Sequence, residues 1–274
     1  MHVLIVGAGL LGLTTAYFLR QAGVAVTVLD RQAGVGRETS FANGAMLHAS
    51  QANPWNAPGV LGAALRMMGR EDSALLVRPR ALPGLWRWGC AFVKHSQPAR
   101  YLRNFEKNAH LARYSLVQMA QLRAALPASY DQQQCGTLKL FRSVAEVTTA
   151  AQLCTQLTAW GIRHEVIDAA GAVHLEPALT PIRTQLAGGL YFPDDESGDA
   201  FKFCECLAQH LQGNGVEFLF ETRVTHLRAG SSHKPHAHTS RGELSADAIV
   251  LAAGSYTPLL ARTVGLEVPV APVK

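Results

Sequence analysis

The sequence predicts an α/β fold, and three stretches carry that expectation. The first is an apolar run, Val3 to Val6, that passes straight into Gly7-Ala8-Gly9-Leu10-Leu11-Gly12 and then into a helix-like segment ending at Gly23. The second is the apolar run Val24 to Leu29, closed by an acid, Asp30. The third lies far along the chain: Asp247 to Ser255 reads Asp-Ala-Ile-Val-Leu-Ala-Ala-Gly-Ser, an apolar strand running into small residues, the pattern of a strand buried on both faces of a parallel sheet. Strand, glycine turn, helix and second strand with an acid at its tip is the order of a dinucleotide-binding βαβ unit.

Each glycine of the turn has its own physical task. Gly7 allows the sharp exit from the strand, Gly9 removes a side chain where a pyrophosphate approaches the backbone, and Gly12 lets the helix lie close on the sheet. The unpaired N–H groups and the dipole of the new helix face the phosphates. Asp30, eighteen residues after Gly12, can accept hydrogen bonds from both ribose hydroxyls. It would repel a 2′-phosphate, so FAD or NAD is favoured over NADP. A glycine turn without a ligand is the competing reading, and the agreement of strand, spacing and terminal acid weighs against it.

With 274 residues, 48% of them hydrophobic, the chain can bury a sizeable core and suits one large or two modest domains. The net charge of +5 is unevenly spread. Between Ala57 and Ser115 the basic residues are 66, 70, 78, 80, 87, 94, 100, 103, 107 and 113, against acids only at 71, 72 and 106. The excess is therefore local, and nucleic acid is not expected as a partner. Cysteines at 90, 135, 154, 204 and 206 show no paired or C-x-x-C spacing, which suits a reduced, cytoplasmic protein. The N-terminus lacks a basic start and is broken by glycines, so it reads as the first strand and not as a signal peptide. No apolar run reaches the length of about twenty residues that crosses a bilayer.

After Asp30 a polar, small-residue stretch from Arg31 to Ser50 lies at the carboxyl end of the second strand, where open α/β sheets bind ligands. The turn-rich Asn53 to Gly59 closes this unit. Helices are expected over Val60 to Met68, Leu82 to Lys94 and Gln97 to Leu126. The second of these mixes Trp86 and Trp88 with Arg87 and Lys94, which suits either a membrane interface or ordinary packing. Strands follow at Thr137 to Phe141 and Glu165 to Ile167, with a helix from Val144 to Trp160 between them.

Gly188 to Pro193 is a strand entering the acidic turn Asp194 to Asp199, which is read as the lead into a helix over Phe201 to Gln212 and not as a calcium loop. Cys204 and Cys206 point to different sides of that helix. Strands at Val216 to Phe220 and Arg223 to Leu227 precede a turn-rich stretch holding His233, His236 and His238. It is read as a solvated hairpin loop and not a metal site. Small residues at the end of the Asp247 to Ser255 strand let a backbone approach a nucleotide, or simply make a tight turn.

Taken in order, Gly7-x-Gly9-x-x-Gly12, Asp30-Arg31, Glu38-Thr39-Ser40-x-Ala42-Asn43, Pro54-Trp55-x-Ala57-Pro58-Gly59, Gly136-Thr137-Leu138-x-Leu140-Phe141, Leu175-Glu176-Pro177-Ala178-Leu179, Gly188-Gly189-Leu190 and Gly254-Ser255-Tyr256 resemble the motifs of bacterial FAD-dependent D-amino acid dehydrogenases. These belong to the D-amino acid oxidase-like flavoprotein superfamily. The resemblance covers the whole chain and implies FAD as the cofactor. It implies a Rossmann-like FAD-binding domain, discontinuous over residues 1–56 and 198–262, with an α+β substrate domain over 57–197 and 263–274. The cofactor contacts carried over are Gly7, Ala8, Gly9, Leu10, Leu11, Gly12, Asp30, Arg31, Ser40, Asn43, Gly44, Ala45, Met46, Val224, Ala253 and Gly254.

The implied reaction takes a hydride from Cα of a D-amino acid such as D-alanine to flavin N5, giving a 2-oxo acid and ammonia after hydrolysis. His48 is the candidate catalytic residue; a structural histidine is the competing reading. A respiratory electron acceptor and a peripheral contact with the inner membrane are the implied partners. An oxidase of glycine, sarcosine or proline shares most of these motifs, and a non-catalytic FAD-binding remnant is a third possibility. Two departures stand out: Asn43-Gly44-Ala45 replaces the Asn-Ala-Gly of many relatives, and relatives continue past Lys274 with a glycine-rich segment over the flavin. Groups binding the substrate carboxylate are therefore expected to be missing.

Overall fold

The computed structural model describes residues 1–60, 62, 82–126, 129–230 and 234–270. Along the chain run β1 (His2–Val6), α1 (Leu10–Gln21), β2 (Ala25–Leu29), β3 (Met46–Leu47), α2 (Leu82–His95), α3 (Pro98–Ala125), β4 (Thr137–Phe141), α4 (Val144–Ala159) and β5 (Glu165–Ile167). Then come α5 (Ala169–Leu175), a 3-10 segment (Pro177–Gln185), β6 (Gly188–Phe192), β7 (Glu196–Ser197), α6 (Ala200–Gly213) and β8 (Glu217–Leu219). The chain closes with β9 (Val224–Arg228), β10 (His236–Thr239), β11 (Gly242–Ser245), β12 (Ala248–Leu251) and α7 (Thr257–Arg262). It divides into two compact units: Met1–Ala45 with Leu122–Gln132 and Ser197–Lys274, and Met46–Gln121 with Gln133–Glu196.

The first unit is built on a four-stranded parallel sheet in the order β12-β1-β2-β8. Its central strand is apolar on both faces because both are covered: Val3, Leu4 and Ile5 are each at most 2% exposed. On one face lies α1, whose Gly12, Leu13, Ala16 and Tyr17 are buried at helical spacing. Beside it packs α6, with a stripe of Phe203, Cys204, Leu207, Ala208 and Leu211. Asp199 starts α6 by accepting the Lys202 N–H at 2.9 Å, the N-cap role that its place in the acidic turn implied. On the other face Leu4, Val6 and Leu29 pack with Leu227, Ala237 and Ala246 from the antiparallel β9–β10–β11 meander.

That meander overturns one expectation. His236 and His238 do not lie in a solvated loop; they sit on β10, hydrogen-bonded to β9 on one side and β11 on the other. Strand alternation buries Ala237 completely and turns both imidazoles to the opposite face, beside Glu243. The Gly, Ser and Pro composition belongs to the stretch that precedes β10, and the strand begins at His236. His233 falls outside the described residues, as does nearly all of the helix expected over Val60 to Met68.

The second unit holds a three-stranded antiparallel sheet, β4-β6-β5, against helices α3 and α4. Its core joins Ala49, Phe105, Ala109, Cys154, Leu157, Ile162, Leu190 and Phe192. The helix α4 begins with a reciprocal capping box, in which the Ser143 side chain accepts from Glu146 N–H and Glu146 reaches back to the Ser143 N–H. Asp195, 1% exposed, accepts the Ala49 N–H at 3.1 Å, the Ser50 N–H at 3.4 Å and the Ser50 hydroxyl at 2.5 Å. A carboxylate of the acidic turn that leads into α6 is thus a buried clasp.

Candidate functional site

The candidate site lies at the carboxyl edge of the parallel sheet, where β1 gives way to the glycine turn. Gly7 has φ +114, and a Cβ there would stand 2.4 Å from the Ala252 carbonyl oxygen. Gly12 is tighter still, since its Cβ would fall 1.8 Å from the Gly7 carbonyl oxygen. No side chain with volume fits either place. The turn therefore presses α1 onto the sheet and sets its first turn at the sheet edge.

The start of α1 is left open to a ligand. Gly9 occupies the N-cap without a capping side chain, the first turn holds no acid, and the first helical hydrogen bond runs only from Leu13 N–H to Gly9 O. The Leu10 N–H donates to the Ser40 hydroxyl at 3.1 Å. A Cβ on Gly9 would lie 3.1 Å from the same oxygen, so Ser40 shares this cradle with the backbone. Unscreened amides and a positive helix end suit an anionic phosphate.

Asp30 stands at the tip of β2. One carboxylate oxygen accepts the Ala8 N–H at 2.7 Å and the other the Gln32 N–H at 2.8 Å, which fixes the group beside the turn. Each oxygen keeps a second lone-pair direction, so capacity for hydroxyl donors remains. The next residue, Arg31, places its guanidinium 4.0 Å over the Tyr256 ring and donates to one Glu38 carboxylate oxygen through Nε at 3.1 Å and Nη2 at 2.5 Å. Gln32 Nε2 donates to the same oxygen at 2.6 Å. Tyr256 first and Glu38 second raise the Arg31 pKa, while Arg31 and then Gln32 hold the Glu38 carboxyl below its ordinary value. Glu38 and Tyr256 did not stand out as site residues in the sequence; the fold brings a glutamate seven residues on and a tyrosine 225 residues away to Arg31.

The remaining candidates fall into separate groups. Ala253 and Gly254, the latter with φ +53, follow β12 directly, and the Gly7 turn abuts Ala252 and Ala253. Val224 opens β9 and packs against the core cluster below the sheet. Asn43, Gly44 and Ala45 line a cavity of about 350 Å³ with Asp131 and Asp199. Ala45 (φ 51) and Asp131 (φ 58) are both non-glycine residues in the left-handed region. Met46 opens β3 and is 45% exposed, in the second unit.

His48 also belongs to the second unit and precedes the Ala49 and Ser50 backbone held by Asp195. Its Nδ1 is buried and makes no hydrogen bond. Among the described residues no group of three or more His, Cys, Asp or Glu is placed to hold a metal ion.

Fold and site together define a dinucleotide-binding α/β protein of the Rossmann-like kind. The cradle fits FAD on its own geometry: two glycines whose Cβ atoms would collide with backbone, open amides at a helix start, and a fixed carboxylate at the second strand tip. The chain belongs to the FAD dependent oxidoreductase (DAO) family, which matches residues 2–274, and its cofactor is FAD.

It is 40% identical over 274 residues to a D-amino acid dehydrogenase of Rhizobium rhizogenes, an alignment covering 100% of this chain and 66% of the relative. A D-amino acid dehydrogenase of Paramagnetospirillum magneticum is 41% identical over 275 residues, with 100% and 65% covered. The chain thus spans a little under two thirds of these relatives. Among solved structures it is similar to glycine oxidase from Geobacillus kaustophilus, with TM-score 0.66, 22% identity, and 98% of this chain and 60% of that one covered. It is also similar to L-proline dehydrogenase from P. horikoshii, with TM-score 0.69, 16% identity, and 97% and 56% covered. At these identities the likeness is one of fold.

Proposed function

We propose that the protein is a FAD-dependent D-amino acid dehydrogenase, oxidising D-alanine or a similar amino acid to the 2-oxo acid and ammonia. The carrying observation is the open α1 cradle with Asp30 fixed beside it, in a chain aligned along its whole length with relatives named for that reaction. FAD, when bound, supplies the two-electron acceptor for the hydride that leaves Cα. In this reading the α1 amides and Ser40 hold the pyrophosphate, Asp30 takes the ribose hydroxyls, and Asn43 to Met46 run toward the flavin ring. Val224, Ala253 and Gly254 border the cofactor. Residues 1–56 and 198–262 serve FAD, and 57–197 with 263–274 serve the substrate. His48, whose buried Nδ1 has no partner, is the chain's candidate to take a proton from the substrate amine.

The purified chain should show a flavin absorption band that bleaches on anaerobic addition of D-alanine. A colourless protein after incubation with FAD refutes the cofactor assignment. A band bleached by glycine, sarcosine or proline with peroxide release, and not by D-alanine, reassigns the substrate.

The proposed electron acceptor is respiratory, with the protein resting on the membrane surface. Trp86 and Trp88 of α2 are 63% and 55% exposed and lie in the basic part of the sequence, which supports that contact. No helix among the described residues is long and apolar enough to cross a membrane. Failure to float with vesicles of anionic lipid at low salt would remove the membrane contact and leave the catalytic reading untouched.

A further inference from the structure

The order of the parallel sheet, β12-β1-β2-β8, puts the strand that carries the glycine turn between β12, whose exit leads through a 3-10 turn to Tyr256, and β2, whose exit leads to Arg31. Asp30 and Arg31 follow β2 directly, and Gly254 to Tyr256 follow β12. The Arg31 guanidinium over the Tyr256 ring at 4.0 Å therefore crosses the carboxyl edge of β1, over the place where the backbone opens into the cradle. Glu38 holds the guanidinium, drawing Nε and Nη2 onto one oxygen, and Gln32 donates to that same oxygen.

We propose that Arg31, Tyr256 and Glu38 form a strap across the nucleotide cradle that retains the bound dinucleotide, acting on its release more than on its capture. The inference rests on the FAD reading above. Two features of the contact favour retention. Planar guanidinium and aromatic faces stack without a unique hydrogen-bond geometry, so the strap can part and re-form without leaving a buried group unsatisfied. Both ends are also set by backbone at the site itself: Arg31 follows the carboxylate that holds the Ala8 N–H, and Tyr256 follows Gly254 in the left-handed region. A ligand lying over the glycine turn would have the strap above it and the β1 edge below. The strap bears on specificity as well. An arginine beside the strand-end acid can donate to a ribose 2′-phosphate, but here the guanidinium is already engaged by Glu38 and Tyr256.

The test uses the 274-residue chain loaded with FAD, and follows flavin fluorescence as cofactor is released into an excess of an FAD-specific apo-flavoprotein as a trap. Tyr256→Leu removes the ring face and should speed release roughly two- to fivefold, the range of a surface cation–π contact, with association changed less. Tyr256→Phe keeps the face and should stay within about twofold of the parent protein. Glu38→Gln, which frees the guanidinium, should fall between the parent and Tyr256→Leu. Equal release from the parent and Tyr256→Leu overturns the strap, as does equal acceleration in Tyr256→Phe and Tyr256→Leu. If the parent protein binds no FAD, the FAD reading fails and the strap with it. Thermal melting of each apo-protein separates a loss of retention from a loss of fold.

Discussion

Substituting Gly12 by alanine sets two magnitudes against each other. In the interior of an exposed helix, glycine to alanine is favourable by about 1 kcal/mol, because alanine loses less backbone entropy. At Gly12 the added Cβ would lie 1.8 Å from the Gly7 carbonyl oxygen and 3.0 Å from its carbon, both backbone atoms in a turn that itself abuts Ala252. Neither partner can rotate away, so the start of α1 must lift from the sheet by roughly 1 Å, and overpacking of that kind costs about 1–3 kcal/mol or more. The clash exceeds the propensity gain, which is smaller in the first turn than mid-helix. Gly12→Ala should therefore lower the melting temperature of the apo-protein by several degrees, at roughly 2–4 °C per kcal/mol for a chain of this size. Gly213→Ala, at the end of α6 with open space around the new Cβ, is the matched control and should be neutral or stabilising. Differential scanning fluorimetry of both variants in the absence of FAD would decide. A Gly12→Ala protein that melts at or above the parent temperature refutes the claim that this glycine is dictated by the closeness of helix and sheet.

Other outcomes follow from single groups. Burial, with smaller contributions from Glu205 and Asp199, pushes the Cys204 thiol up to about 12. At pH 8 a thiol-reactive disulfide reagent should label exposed Cys90 and Cys135 quickly, and Cys204 only on unfolding; prompt labelling of Cys204 would contradict its packing in α6. Asp195→Ala leaves two backbone amides and a buried hydroxyl without their acceptor, a loss on the order of 3 kcal/mol. Hydrogen exchange at Ala49 and Ser50 should accelerate in that variant, and unchanged protection there would show that the clasp is dispensable. Arg163 holds the Asp194 carboxyl below its ordinary value. A depressed carboxylate contributes stability above its unfolded pKa and loses it as the pH falls through the folded one, so the melting advantage of the parent over Arg163→Gln should shrink between about pH 5 and pH 2.5. An advantage that grows on acidification reverses the assigned sign.

What was legible in the sequence is what local chemistry dictates. The helix after Gly12 and the acid at the tip of β2 are set by contacts within thirty residues, although Gly7 also abuts Ala252, and β12 announces itself by its apolar run even though its residues are only half-buried at the edge of the sheet. Asp199 could be placed as an N-cap because capping is a three-residue matter. Asp195 could not be distinguished from its acidic neighbours, since its partners lie 145 and 146 residues away and nothing in Asp194 to Asp199 says which carboxylate turns inward. The Tyr256 ring over Arg31 was hidden for the same reason. The misplacement of His236 and His238 has a different cause: glycine, serine and proline mark a turn without marking its end, and a four-residue strand such as His-Ala-His-Thr carries too little alternation to reveal itself.

The division of the chain also bears on its biosynthesis. The first unit is assembled from three separated segments and the second from two. Strand β1 emerges from the ribosome long before one of its two neighbours, β12, the His2 N–H meeting Asp247 across 245 residues. At translation rates of about 5–20 residues per second, Val3 to Val6 wait on the order of tens of seconds for that edge to be covered. A strand buried along four of its five residues is thus exposed for a long interval during synthesis, an apolar segment offered to chaperones and to other nascent chains. Slowing elongation in the codons just before β12 should lower the yield of folded protein more than slowing it within the α1 and β2 codons, where the pairing partner of β1 is only a helix away.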